Sequence, residues 1–258
     1  MQDLFSLKGR TALITGGSRG IGEMIAEGFV RAGAKVYISA RKAAACHETA
    51  ARLSQWGECV SLPADASGAA GARALAEAYR ARESGLDILV NNAGAAWFTP
   101  IESFPESGWD KVMDINVKAP FFLTQALLGA LEARASAEKP SKVINIASID
   151  GLSVNILPTY SYAASKAGLI HLTKRLALEL AARHIIVSAI APGAFPSEMN
   201  KAARDEGEKL AAAIPARRVG KPEDMAGAAI FLASRAGDYV VGDTLSVDGG
   251  VAWTRGAI

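Results

Sequence analysis

Tyr162 and Lys166 are the pair of residues in this sequence whose types and spacing most directly suggest chemistry. They are four positions apart in an Ala-rich segment of helical period, so one face of a helix would carry both. A nearby ammonium stabilises a phenolate, and we expect it to lower the pKa of Tyr162 from about 10 toward neutrality. Tyr162 would then act as general acid in the reduction of a carbonyl, or as base in the reverse oxidation. Tyr160 is followed four positions later by Ala164 and lacks the lysine.

Ser148 and Asn116 are predicted to complete this catalytic group. Ser148 follows an apolar strand, where its hydroxyl could hold the carbonyl oxygen of a substrate or simply form a turn. Asn116 lies inside a predicted helix, which is an unfavourable place for asparagine. Either a kink that frees a backbone carbonyl to hold a water beside Lys166, or a hydrogen bond to a neighbouring helix, would explain its presence.

A glycine-rich turn over residues 15–22 joins the first predicted strand to the first predicted helix. Its spacing is Gly-x-x-x-Gly-x-Gly, which differs from the commoner Gly-x-Gly-x-x-Gly. Backbone N–H groups at such a helix N-terminus can bind a pyrophosphate, so the turn predicts a dinucleotide cofactor. A glycine-rich turn after a strand can also be only a turn, and the strand and helix around this one favour the binding site.

The end of the second predicted strand indicates which dinucleotide binds. An NAD site normally has an acidic residue there, whereas this strand runs into Arg41 and Lys42. With Arg19 these cations would bind a 2′-phosphate, which predicts NADP(H); alternatively, Arg41 and Lys42 only begin a solvated helix. Asp65, after the third strand, either accepts from the adenine amino group or caps the next helix, although Ser67 is an equally good cap.

Apolar, β-branched runs alternate with longer segments of helical period along the chain. The predicted strands cover residues 10–15, 35–40, 58–63, 86–91, 142–147, 185–191 and 244–247, and the predicted helices 20–32, 43–55, 68–81, 105–134, 160–181 and 222–233. Strands that are apolar throughout are typical of a parallel sheet covered on both faces. We therefore predict an α/β fold, a single doubly wound domain over 1–258 with a seven-stranded parallel sheet. The long insertion around 198–210, a charged stretch predicted to be helical, predicts a substrate lid over about 194–214.

The composition argues against several classes of partner. The 258 residues include 28 Lys and Arg against 26 Asp and Glu, and a net charge of +2 does not favour nucleic acid or an anionic membrane. Cys46 and Cys59 form no CxxC pair, and the three histidines lack metal-ligand spacing, so no metal is expected. No signal peptide or membrane-spanning stretch is recognisable, and we expect a cytoplasmic protein.

The motifs occur in the order found in the short-chain dehydrogenase/reductase (SDR) family, which the chain resembles over nearly its whole length. That order is the glycine loop, Asn91-Asn92-Ala93-Gly94, Asn116, Ser148, Tyr162 with Lys166, and Pro192-Gly193. Within the family the chain is most similar in pattern to 3-oxoacyl-[acyl-carrier-protein] reductases, including the rhamnolipid-associated NADPH-dependent ones. The resemblance implies a Rossmann-type fold, NADP(H) as cofactor, and a homotetramer or homodimer that pairs the helices predicted at 105–134 and 160–181.

The resemblance also implies a role for each matching residue. Tyr162 would be the acid/base, Lys166 would bind the nicotinamide ribose, Ser148 would orient the carbonyl, and Asn116 would hold a proton-relay water. Ser197 replaces the threonine usual near the carboxamide. The other residues implied to contact the cofactor are Gly16, Ser18, Arg19, Gly20, Ile21, Gly22, Asp65, Ala66, Asn92, Ala93, Gly94, Pro192, Gly193 and Phe195.

Three functions remain open at this point. The first is an NADPH-dependent reductase of 3-oxoacyl groups or similar hydrophobic ketones, because the expected substrate wall (residues 95–99, 151–159 and 195–199) is largely apolar. The second is an alcohol dehydrogenase for a steroid, sugar or xenobiotic, and the third a non-catalytic NADPH sensor, which would not need the acid. Asp150 replaces a commonly small apolar residue; we expect it to face water, with contact to a polar substrate as the alternative.

Overall fold

The computed structural model describes residues 2–198 and 200–254, and its central feature is one parallel sheet of seven strands. In chain order the strands are β1 (Thr11–Thr15), β2 (Lys35–Ser39), β3 (Cys59–Ser61), β4 (Ile88–Asn91), β5 (Ser141–Ile146), β6 (Ile185–Pro192) and β7 (Thr244–Val247). Their order across the sheet is β3-β2-β1-β4-β5-β6-β7. The order reverses between β1 and β4, and open α/β sheets bind ligands at the carboxyl ends of the strands beside such a reversal. The predicted α/β fold is confirmed.

Helices cover both faces of the sheet. They are α1 (Gly20–Arg31), α2 (Ala43–Leu53), α3 (Gly68–Arg80), α4 (Glu106–Met113), α5 (Ala119–Ala126), α6 (Leu128–Glu132), α7 (Tyr160–Leu180), α8 (Lys201–Asp205), α9 (Gly207–Ala211) and α10 (Pro222–Ala233). Because successive strand residues point to opposite faces, Leu13 and Ile14 belong to two different cores. Phe29 of α1 packs in the core with Ile14, and Leu75 of α3 in the core with Leu13. This two-sided burial explains the uninterrupted apolar runs in the sequence.

The helix predicted over 105–134 is divided into shorter pieces. The segment contains α4, a π-helical turn over Asp114–Lys118, then α5 and α6. Pro120 has no N–H to donate to the carbonyl of Asn116, so regular α-helical pairing fails there. The irregularity predicted from Asn116 is therefore confirmed, and Pro120 is its physical cause.

Most other element ends agree with the predictions to within a few residues, and two differ in kind. The third strand is only Cys59–Ser61, half the predicted length. The predicted helix over 198–210 consists of two short helices, α8 and α9. Asn200 caps α8 by accepting a hydrogen bond from Ala203 N at 3.1 Å. Within the part of the chain that the structure describes, no helix has the length and apolar character needed to cross a membrane.

Candidate active site

Lys166 lies at the centre of the candidate site, almost completely buried under the carboxyl ends of β4 and β5. Its Nζ donates to the backbone carbonyl of Ile146 at 2.7 Å and is 5.6 Å from the centroid of the Tyr162 ring. Burial lowers the pKa of Lys166 to about 8, and the nearby Asp150 acts in the opposite direction. A Cβ at Gly94 would lie 3.0 Å from Asn116 Oδ1, so the glycine lets the backbone after β4 approach that side chain closely.

Tyr162 lies one turn before Lys166 on α7, as predicted, but the prediction for its pKa is wrong. Burial raises the pKa of Tyr162 to about 12; a hydrogen bond with Ser148 lowers it, and the Asp150 carboxylate raises it. Desolvation of the phenolate is the largest cause, and the Lys166 ammonium donates to the carbonyl of Ile146. The phenol of Tyr162 is thus protonated at neutral pH, which is the form needed in a proton donor. The rival Tyr160 is exposed and packs edge-on against Phe104.

Ser148 follows β5 and faces Tyr162. Its Oγ accepts a hydrogen bond from Asp150 N at 3.1 Å and caps the short 3-10 turn Ile149–Gly151. This is the turn-forming bond that the sequence left as an alternative, and it uses only the acceptor side of the hydroxyl. The hydroxyl proton is directed at Tyr162, in the hydrogen bond that lowers the Tyr162 pKa, and a substrate oxygen placed between the two side chains would take over that bond.

The Asn116 side chain ties two segments of the site together. Its Oδ1 accepts from Ala95 N, and its Nδ2 donates to Ala95 O and to Ser165 Oγ, each at 2.9 Å. The segment after β4 is thereby fixed to Ser165, in the second turn of α7. Ser165 was missed from the sequence, although it lies directly before Lys166. The predicted water site could only involve the Asn116 backbone, because the side chain has its partners.

The glycine loop is shaped by positions where a side chain would not fit. Gly16 and Gly20 have φ values of 66° and 56°, the left-handed region that favours glycine. A Cβ at Gly22 would lie 2.3 Å from the carbonyl oxygen of Gly16. The backbone at the start of α1 is therefore bare, which is the cradle that a diphosphate requires.

Thr15 fixes this loop to the end of β4. Its buried Oγ1 accepts from the backbone N–H groups of Asn92 and Ala93, both at 3.0 Å. The Asn92 side chain in return donates to Thr15 O at 2.8 Å. Sequence reasoning singled out Asn92 and Ala93 but missed Thr15, whose only signal was its place as the last residue of a strand.

The three cations predicted to bind a 2′-phosphate are all exposed: Arg19 in the glycine loop, and Arg41 and Lys42 after β2. Asp65 accepts a hydrogen bond from Ser67 N at 3.0 Å. Hydrogen bonds from the Ser67 side chain and then its backbone, with a smaller contribution from the charge of Arg41, lower the pKa of Asp65. Ser67, and not Asp65, occupies the N-cap of α3, although its side chain makes no cap hydrogen bond, and the contact of Asp65 with adenine stays a prediction. Asp65 stabilises the turn before α3, because a carboxylate that accepts from the N–H two residues later forms an Asx turn.

The predicted lid begins close to the glycine loop. Gly193 N donates to Val247 O at 2.9 Å, after which the chain leaves the sheet. The Phe195 ring is buried against Gly220, where a Cβ would lie 2.4 Å from it. Ser197 Cβ is 3.2 Å from the position of a Cβ at Gly20. A cavity of about 290 Å³ lies behind Phe195 and away from Tyr162.

The mouth of the site is apolar, as expected for part of the substrate wall. Phe98, Val154, Ile156 and Leu157 are all more than half exposed. A hydrogen bond from Thr99 N to Pro158 O, at 3.3 Å, joins the two segments that carry them. Met199, the last residue of the predicted wall, lies outside the described residues. Exposed apolar patches of this kind mark binding surfaces.

Comparison with known proteins agrees with this geometry. The model of the enoyl-(acyl carrier protein) reductase family matches residues 16–252. The chain belongs to the short-chain dehydrogenase/reductase family. The expected family is confirmed, and with it the oxidoreductase class. A curated relative, the rhamnolipids biosynthesis 3-oxoacyl-[acyl-carrier-protein] reductase of Pseudomonas aeruginosa, is 51% identical over 97% of this chain and 99% of its own.

Two further matches show how widely this SDR scaffold is used. The solved RhlG/NADP active-site complex from Pseudomonas aeruginosa matches with a TM-score of 0.94 and 51% identity, covering 98% of this chain and 100% of that one. The 2-dehydro-3-deoxy-D-gluconate 5-dehydrogenase of Bacillus subtilis is 40% identical over 97% of both chains.

In residues 2–198 and 200–254 no group of three or more His, Cys, Asp or Glu is arranged to hold a metal.

Proposed function

We propose that this SDR enzyme reduces the ketone of a 3-oxoacyl group, or a similar hydrophobic ketone, to a secondary alcohol with NADPH. The observation that carries the proposal is the placement of the Tyr162 phenol beside the Ser148 hydroxyl and one helical turn from buried Lys166, whose Nζ is 5.6 Å from the Tyr162 ring. The reductase identity of the 51% identical relative and the apolar mouth support the substrate class.

The bare backbone of the glycine loop and the exposed cations at its rim suit NADP(H). The diphosphate would lie on the loop, and the 2′-phosphate near Arg19, Arg41 and Lys42. The adenine would lie by Asp65 and Ala66, and the nicotinamide half along the segments that contain Asn92, Ala93, Gly94, Pro192, Gly193, Phe195 and Ser197. When bound, NADPH supplies the hydride for the reduction.

The side chains of the chain itself account for binding and protonating the ketone oxygen. Ser148 donates a hydrogen bond to that oxygen and stabilises the negative charge that develops on it. Tyr162 then transfers its phenolic proton, since an alkoxide is a much stronger base than a phenolate. Lys166 stabilises the phenolate left behind, and Asn116 keeps α7 in register with the segment after β4.

The enzyme is proposed to be cytoplasmic and to assemble as a homotetramer or homodimer through α4–α6 and α7. Leu178 on α7 and Trp109 on α4 are 77% and 42% exposed, apolar surface that a partner subunit would cover. Both cysteines are free and buried, which suits a reducing compartment. Light scattering of the purified protein gives the assembly directly, and a monomer at micromolar concentration would contradict it.

The test is NADPH oxidation with a panel that includes a 3-oxoacyl thioester, a bulky aryl ketone and a keto sugar acid. Tyr162→Phe should abolish turnover, by about 10³-fold or more for loss of the acid, while NADPH still binds. Tyr160→Phe is the matched control and should keep full activity, because that ring lies outside the site. Best turnover of the sugar acid would favour the alternative substrate class, and NADPH binding without turnover of any ketone would favour the sensor.

A further inference from the structure

Asp150 is a charged residue at the mouth of the site that the proposed reaction does not use. It lies in the middle of the turn Ile149–Gly151, and its N–H donates to Ser148 Oγ at 3.1 Å. The turn lies directly on α7, since a Cβ at Gly151 would be 2.6 Å from the carbonyl carbon of Lys166. Asp150 is thus held at a fixed place two residues from Ser148, and it is half-buried.

The Asp150 carboxylate has no counter-charge of its own. Across residues 2–198 and 200–254, neither of its oxygens takes part in a hydrogen bond or an ion pair. Its charge raises the pKa of both Tyr162 and Lys166, as expected for a carboxylate close to the catalytic pair. Lys166 forms no ion pair with Asp150, because the residue is only 4% exposed and its ammonium donates to Ile146 O. The expectation that Asp150 simply faces water is therefore incomplete.

We propose that Asp150 is a specificity-determining residue that rejects ketones carrying a carboxylate close to the reacting carbonyl. The proposal rests on the reductase function given above. A substrate over Ser148 displaces water from the mouth, and a carboxylate on it would then face the charge of Asp150, which already acts on Tyr162 and Lys166. Repulsion between like charges in such a partly buried site is expected to change affinity by about tenfold. A neutral ester or thioester of the same ketone meets no such repulsion.

The names of two relatives illustrate the two kinds of substrate that Asp150 would distinguish. The Bacillus subtilis relative is named for a sugar acid, a ketone that carries a carboxylate. The Pseudomonas aeruginosa relative is named for a 3-oxoacyl group, in which the acid is esterified. A fixed, unpaired carboxylate next to the catalytic serine would favour the second kind of substrate in this chain.

The experiment compares two ketones that differ by one charge, ethyl 3-oxobutanoate and 3-oxobutanoate, using the wild type, Asp150→Asn and the control Glu77→Gln. Glu77 is an exposed carboxylate on α3, so its removal changes the net charge without touching the site. The measured quantity is the ratio of kcat/KM for ester over acid. Any effect of Asp150 on Tyr162 applies to both ketones and cancels in that ratio.

We expect Asp150→Asn to shift the ratio toward the acid by about tenfold, and Glu77→Gln to leave it unchanged. Higher ionic strength should lower the wild-type ratio, because salt screens the repulsion; this measurement needs no variant and stands if Asp150→Asn folds poorly. An equal ratio in wild type and Asp150→Asn, or a wild-type ratio insensitive to salt, would overturn the proposal. Turnover of the ester by the wild type separately tests the reductase function. If there is no turnover, calorimetry gives the ratio of the binding constants of ester and acid to the NADPH-loaded protein, and the variants are compared by that ratio.

Discussion

Replacing Thr15 with valine should loosen the junction between the glycine loop and β4. The side chain is 3% exposed, and its Oγ1 accepts from Asn92 N and Ala93 N at 3.0 Å each. Valine has nearly the same shape but no oxygen, so two backbone N–H groups lose their partner. Each such group costs about 1–3 kcal/mol, and because Asn92 and Ala93 are only half-buried the lower half of that range applies.

The expected loss is therefore about 2–4 kcal/mol of unfolding free energy, which corresponds to a fall in Tm of roughly 5–15 °C for a chain of this size. Thr11→Val is the matched control, because Thr11 lies on the same strand, is buried, and has a hydroxyl without these two partners. Urea denaturation measures the stability, and NADPH titration measures the loop. If the substitution destabilises the binding conformation of the glycine loop by about 1.4 kcal/mol, the Kd for NADPH rises tenfold. Equal stabilities for the two variants, or an unchanged Kd in Thr15→Val, would refute this account.

Three further results are expected. The kcat/KM for NADPH should fall above about pH 8, because burial lowers the pKa of Lys166 to about 8 and the ammonium loses its proton above that pH. Tyr162, whose pKa is raised to about 12, stays protonated over the same range. A fall that begins only above pH 10 would contradict this. Arg41→Ala should weaken NADPH binding by about 10- to 100-fold, the loss of charged hydrogen bonds, and leave NADH binding unchanged; equal losses for both would place Arg41 elsewhere. Gly22→Ala should abolish NADPH binding, since its Cβ would lie 2.3 Å from the carbonyl oxygen of Gly16. The control Gly227→Ala on α10, whose Cβ would meet no atom within 4 Å, should bind NADPH normally. Normal binding by Gly22→Ala would show that the loop can rearrange to accept the methyl group.

The sequence was sufficient for the sheet because each strand is buried on both faces and therefore reads as an uninterrupted apolar run. The positions of Ser148 and Asn92 followed, since carboxyl ends of parallel strands meet at one edge. The pKa of Tyr162 did not follow, because it depends on how completely the folded chain desolvates the phenol, and spacing along a helix contains no information on burial. The partnership of Asn116 with Ser165 was also hidden, since residues 49 positions apart meet only in the tertiary structure.

The catalytic geometry is held largely by backbone atoms, and this explains how one scaffold serves different substrates. Lys166 is fixed by the carbonyl of Ile146, Asn116 by the backbone of Ala95, and the glycine loop by a threonine that binds two backbone N–H groups. Such contacts survive most changes of side chain elsewhere. The substrate instead meets exposed side chains such as Phe98 and the turn that contains Asp150, whose replacement leaves those backbone bonds intact. Reaction and specificity can therefore vary independently in this fold, and changes at the mouth should alter KM and substrate preference before they alter the proton transfer at Tyr162.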